Sequence, residues 1–116
     1  MYPTARFIQT VLAFEGKGLS HTTALGTEAT YVAPPDKRAQ LIYLRAGQSL
    51  DELVYLSLVR DGRVVRLFPI GAKGSVHVPL AVVEDVQPGS KLEVHVGAPE
   101  GARGTLVLDI GIMEVD

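Results

Sequence analysis

The chain has 116 residues with no cysteine or tryptophan, and its 11 basic and 13 acidic side chains give a net charge of −2. That length allows one domain, residues 1–116, and a core large enough to need no cross-links; the missing cysteine excludes disulfides and thiolate metal sites and fits a cytoplasmic, reducing setting. The basic residues are scattered without a phosphate-tracking stripe, which argues against nucleic acid, and no apolar run approaches the roughly 18 residues of a membrane span.

The elements follow in chain order. The opening, MYPTARFIQTVLAFEG, carries one Arg and a run interrupted by Gln9 and Thr10; it lacks a small-residue cleavage site, so a strand over Arg6–Phe14 is expected rather than a secretion signal. Leu19–Leu25 and Glu28–Ala33 read as short strands separated by Gly26-Thr27, and Pro34-Pro35-Asp36 ends the second because proline cannot donate to a ladder. Arg38–Ala46 is the next strand. Gly47 to Glu52 then leads into a hairpin, Leu53–Arg60 and Arg63–Ile70, joined at Asp61-Gly62. An Asp-Gly pair between β-rich arms signals a type I′ turn, which needs positive φ at both central residues.

An unbroken ladder from that turn sets Val59 opposite Val64, Ser57 opposite Arg66 and Tyr55 opposite Phe68. Both faces of the hairpin are then apolar. Val54, Leu56, Leu58, Val65 and Leu67 form one face; Tyr55, Val59, Val64, Phe68 and Ile70 dominate the other. A half-exposed antiparallel strand alternates apolar with polar, so both faces are expected to be covered. Tyr55, Arg66, Phe68, Val59 and Val64 are the candidate interface or ligand platform, an aromatic pair beside a guanidinium.

Beyond the hairpin, Ser75–Leu80 and Lys91–Gly97 alternate cleanly. Val76, Val78 and Leu80 oppose Ser75 and His77; Leu92, Val94 and Val96 oppose Lys91, Glu93 and His95. A Pro-Gly turn sits within Val86–Ser90. The last strand, Thr105–Val115, places Leu106, Leu108, Ile110 and Ile112 on one face, with Val107, Asp109, Met113 and Val115 on the other. Short strands punctuated every 8–12 residues or so argue for an all-β antiparallel β-sandwich of about eight or nine strands, jelly-roll or immunoglobulin-like. The closing segment GTLVLDIGIMEV resembles the last strand of jelly-roll carbohydrate-binding modules. It covers a small part of the chain and assigns no family.

The chemistry-bearing residues are few. His77 and His95 could share a metal if their strands pair, with Glu93 or His21 as a third ligand, but no His-x-His spacing supports a site, and no metal or cofactor is expected. Asp109, Arg45 and Arg66 sit in apolar strands, where a lone buried charge is costly; they are expected to pair between strands or between subunits, with a binding pocket holding a fixed charge as the functional alternative. Asp51-Glu52 and Glu84-Asp85 lack the alternation of a calcium loop. Gly71-Ala-Lys-Gly74 is followed by a strand, not the helix of a phosphate loop. No Gly-x-Ser-x-Gly elbow is present.

The leading expectation is therefore a non-enzymatic structural or interaction protein, a homo-oligomer assembling through an apolar sheet face, with another protein as a possible partner. A small-ligand or carbohydrate-binding module using the Tyr55/Phe68 face is the alternative. A metal-dependent enzyme using His77 and His95 is a second alternative.

Overall fold

The computed structural model describes residues 3–78 and 84–116. It is an antiparallel β-sandwich of ten strands: β1 (Thr4–Glu15), β2 (Gly18–Ala24), β3 (Thr30–Val32), β4 (Arg38–Gln48), β5 (Val54–Arg60), β6 (Arg63–Ile70), β7 (Ser75–Val78), β8 (Glu84–Val86), β9 (Lys91–Ala98) and β10 (Arg103–Val115). The expected β-sandwich class holds, with a higher strand count. The three-residue β8 is too short to show a period in sequence, and Glu28 and Ala29, expected to begin a strand, belong instead to a 3₁₀ turn, Thr27–Ala29, before β3. Leu80 of the expected strand Ser75–Leu80 lies outside the described residues.

One sheet runs β1-β10-β4-β7, with β8 also on β4; the other runs β2-β9-β5-β6, with β3 also on β9. The pairs β1–β10, β2–β9, β4–β7 and β5–β6 nest inside one another along the chain and alternate between the sheets. This is the connectivity of a jelly roll, which resolves the choice against an immunoglobulin-like order.

The core is the space between the sheets. Leu41, Leu44 and Ala46 of β4 and Leu106, Leu108, Ile110 and Ile112 of β10 face Val54, Leu56 and Leu58 of β5 and Leu92, Val94 and Val96 of β9, all buried. Among the described residues the buried Glu114 and Gln48 enter this interior, each with partners. Glu114 accepts from the Tyr31 hydroxyl at 2.7 Å and from Arg6 Nε at 3.3 Å, tying the sheets together at one end. Gln48 donates to the carbonyls of Glu52 and Gly71 and accepts from Leu50 N, joining the loops around it.

The hairpin turn forms as its sequence requires, with φ of 50° at Asp61 and 82° at Gly62. Val59 pairs with Val64 as expected. The ladder then breaks. Leu58 pairs with Arg66, so Val65 is an extra residue, and the following pairs are Ser57–Leu67, Leu56–Phe68 and Tyr55–Pro69. This corrects the expected Tyr55–Phe68 and Ser57–Arg66 pairings. A one-residue bulge moves every later side chain on its strand to the other face. Phe68 therefore enters the core at 7% exposure, while Leu67 faces out at 61%. Apolar residues on both sides of β6 conceal the slip from any reading of period.

The corrected register makes a paired prediction. Phe68→Asp buries an unpaired carboxylate in the core, which costs several kcal/mol, and strand signal in circular dichroism should be lost. Leu67→Asp, one residue away, should leave the spectrum and unfolding midpoint nearly unchanged. Tolerance of the first and intolerance of the second would restore the unbulged register.

Candidate functional site on the outer face of the β4–β10 sheet

The five residues expected to form one platform are divided between faces. Tyr55, Val59 and Val64 lie on the outer side of the β5–β6 sheet, where Val59 is nonetheless buried and Val64 exposed, and Phe68 lies in the core. Arg66 is exposed and donates to the carbonyl of its neighbour Val65 at 2.8 Å. The Tyr55 ring lies across Gly97 of β9, where a Cβ would come within 2.4 Å of ring carbons. Its hydroxyl donates to the carbonyl of Leu19. Leu19 lies in a stretch of β2 that leaves the ladder, since Gly18 pairs with Ala98 but Thr23 already pairs with Val96. Tyr55 therefore props this arch. Beside it, Ser57 pairs with His95, and among the described residues neither Ser57 Oγ nor His95 Nε2 has a hydrogen-bond partner.

The outer face of the other sheet gathers the polar side chains that the sequence left scattered. The ladders align Gln9 of β1, Asp109 of β10, Arg45 of β4 and His77 of β7 in one row across four strands. Asp109 is its centre. Oδ1 accepts from Gln9 Nε2 at 3.2 Å and from the Tyr43 hydroxyl at 2.8 Å, and Oδ2 accepts from Arg45 Nη2. The expected cross-strand pairing of Asp109 is thus with Arg45, whereas Arg66 lies on the other sheet.

Tyr43 reaches Asp109 because it crosses a glycine. Its ring lies over Gly111, where a Cβ would sit 2.0 Å from a ring carbon. The Arg45 guanidinium lies 5.6 Å from the ring centroid, within cation–π range. Neither Tyr43 nor Gln9 stood out in the sequence. The available signal was a glycine inside a long strand, which marks a close approach by another group.

Burial pushes the Asp109 carboxyl up, but the hydrogen bonds from Tyr43, Arg45 and Gln9 outweigh it and hold it below the usual carboxylate range. Burial, and then the bond to Asp109, pushes the Tyr43 hydroxyl up. The carboxylate is thus a fixed ionised acceptor, far from the near-neutral titration of a general acid or base. Arg45 keeps 56% of its side chain exposed against 19% for Asp109, so its remaining donors face solvent.

Two open grooves flank this row. One, of about 440 Å³, is lined by Arg45, Ala46, Gly47, Ser75, Val76, His77, Val107 and Asp109. The other, of about 530 Å³, is lined by Gln9, Thr10, Val11, Val107, Leu108 and Asp109. Val107 and Asp109 belong to both. The volumes suit a small ligand, and the lining mixes exposed valines with convergent donors and an acceptor.

The histidines do not come together. His77 is on β7 beside Arg45, and His95 is on β9 in the opposite sheet, so their strands do not pair and the two-histidine metal reading fails on topology. Among the described residues no group of three or more His, Asp or Glu side chains could hold a metal ion. Of the acidic pairs, Glu84 bonds Arg60 at 3.3 Å and Asp85 accepts from Gln40 at 3.3 Å.

No protein-family model matches the chain, and no curated protein matches it in sequence. Solved structures do resemble it. The CBM36-1 domain of a multidomain xylanase from the hindgut metagenome of Trinervitermes trinervoides superposes with a TM-score of 0.50 at 16% identity, covering 90% of this chain and 95% of that one. A carbohydrate-binding module CBM36 in complex with calcium and xylotriose gives 0.49 at 13% identity, over 92% and 97% of the two chains. Infectious bursal disease virus Gx strain gives 0.41 at 15% identity, over 98% of this chain and 32% of that one. At such identities the first likeness establishes the β-sandwich fold, and no residue role is carried across.

The Asp109 cluster makes a pH prediction. A carboxyl whose folded pKa is depressed stabilises the fold above its unfolded pKa and loses that contribution as pH falls through the folded value. Asp109→Asn should therefore be less stable than wild type at neutral pH in urea unfolding, and the gap should narrow below about pH 4. A gap that stays constant between pH 7 and the acid limit would contradict the network.

Proposed function

We propose that the chain is a single β-sandwich domain that binds a neutral carbohydrate on the outer face of its β4–β10 sheet and performs no chemistry on it. The observation that carries this reading is the Gln9–Asp109–Arg45–His77 row flanked by two grooves that share Val107. A sugar presents hydroxyls that both donate and accept around a ring edged with C–H groups. Planar side chains fixed by one another, with donors left over, meet that pattern with little ordering cost. Arg45 supplies donors, His77 and Ser75 can both donate and accept, and Val107 and Val11 offer apolar contact. Likeness in fold to a carbohydrate-binding domain supports the same class. The reading moves the ligand surface from the hairpin to the opposite sheet, since Phe68 is a core residue.

Isothermal titration calorimetry against soluble xylo-, cello- and manno-oligosaccharides tests it. An open groove contacts one side of its ligand, so affinities on the order of 0.1–1 mM are expected, about −4 to −5.5 kcal/mol. Arg45→Ala should weaken binding at least tenfold, about 1.4 kcal/mol, with the fold intact by circular dichroism. No binding by any member of the panel, or binding indifferent to Arg45, would contradict the proposal.

A further inference from the structure

The four sheet edges are not alike. Opposite β1, the first sheet ends in β7 and β8, of four and three residues among those described. The second sheet ends on one side in β6, which carries the Val65 bulge, Pro69 and two arginines. On its other side it ends in the arched β2 and the three-residue β3. Short strands, bulges, proline and charge are how sheets blunt an edge against pairing. β1 carries none of them on its own residues in its central stretch; the Thr27–Ala29 turn lies against it, where Thr10 donates to Glu28 at 2.9 Å, and Thr10 alternates with the outward residues Gln9 and Val11. Its 12 residues, TARFIQTVLAFE, pair with β10 without a register shift. Its charged residues, Arg6 and Glu15, lie toward its ends and are bonded to Glu114 and to Lys17 and Arg103. Among the described residues, no backbone hydrogen bond outside the ladders involves residues 4–15.

The outward face of β1 is also close to a palindrome. Gln9 and Val11 stand beside Asp109 and Val107 on the outer side, so Ala5, Phe7, Gln9, Val11 and Ala13 share that face. Phe7 and Val11 remain 57% and 65% exposed. We infer that β1 pairs antiparallel with β1 of a second copy of this chain about a two-fold axis at Gln9, so that Phe7 packs on Val11 of the partner subunit twice over. Ala5 then faces Ala13 of the partner subunit, and Gln9 faces its own copy. A one-residue slip sets outward side chains against inward ones. A two-residue change in pairing sets Phe7 against Gln9 or against Ala13, losing the apolar match. The Gln9-centred register alone pairs apolar with apolar and amide with amide.

The pairing extends the sheet through both copies and turns both Asp109 rows to the same side. It also brings Phe7 of the partner subunit beside Val11, adding an aromatic wall to the groove of Gln9, Val107 and Asp109. A single edge strand buries less than the roughly 1,200–2,000 Å² of a stable interface, so the dimer is reversible. The pairing is independent of what the groove binds and is measured without ligand.

The cysteine-free chain makes the register directly readable. Sedimentation equilibrium should show the mass rising with concentration from 12.4 kDa toward twice that value, and Val11→Lys should stay monomeric with an unchanged circular dichroism spectrum. Under mild oxidation Gln9→Cys should form disulfide dimers at least tenfold faster than Phe7→Cys or Val11→Cys, and an equimolar mixture of the last two should cross-link faster than either alone. A monomeric wild type up to about 1 mM, a dimer unaffected by Val11→Lys, or fastest cross-linking at Phe7 or Val11 alone would each overturn the inference.

Discussion

Everything outside the core depends on the phase of side-chain alternation along each strand. The two sheets bury one face of each strand, and the period of two then assigns every other residue to solvent. A single extra residue resets that phase. On β4, Leu41 pairs with Ile112 but Tyr43 pairs with Gly111, leaving Ile42 as the inserted residue. Ala39 and Leu41 point inward before it, and Leu44 and Ala46 after it. If Ile42 took a regular place in the ladder instead of bulging, Tyr43 and Arg45 would occupy the inward positions. The bulge therefore converts two residues that would disrupt the core into the donors that hold Asp109. A buried, unpaired Arg45 would cost several kcal/mol, so core and outer row select the same register.

The same device on β6 has the opposite result. Val65 shifts the phase so that Phe68 joins Leu56 and Ile70 inside, leaving Val64 and Leu67 outside. Each outer face also carries a tyrosine laid over a glycine of the neighbouring strand: Tyr43 on Gly111 and Tyr55 on Gly97. Their hydroxyls differ in what they hold. Tyr43 donates to a carboxylate that already receives Arg45 and Gln9, and so helps fix a charged surface. Tyr55 donates to the Leu19 carbonyl and supports a backbone arch. One sheet thus presents an organised polar row, and the other uses its aromatic residue for internal support.

Much of the fold was legible because its signals are local. Asp61-Gly62 fixed a turn with positive φ at both positions, and strict alternation placed Leu92, Val94 and Val96 inside. The bulges were not legible. Val64-Val65-Arg66-Leu67-Phe68 and Leu41-Ile42-Tyr43 offer an apolar residue to either face, so no period marks the inserted one. Arg45 and Asp109 were recognisable as charges needing partners, but which residues meet across 64 positions of sequence is decided by topology. Gln9 and Tyr43 carried no signal of their own, and His77 and His95, alike in sequence context, were separated by the assignment of β7 and β9 to different sheets.

The claim on which function turns is that the ordered row on the β4–β10 sheet is the working face. Amide chemical-shift mapping during titration with the tightest-binding oligosaccharide tests it most directly. Perturbations should concentrate at Gln9, Arg45, Gly47, Ser75, His77 and Asp109 and leave the amides around Tyr55 and His95 unmoved. Shifts centred on Tyr55, Ser57 and His95, with the Asp109 row unmoved, would contradict it.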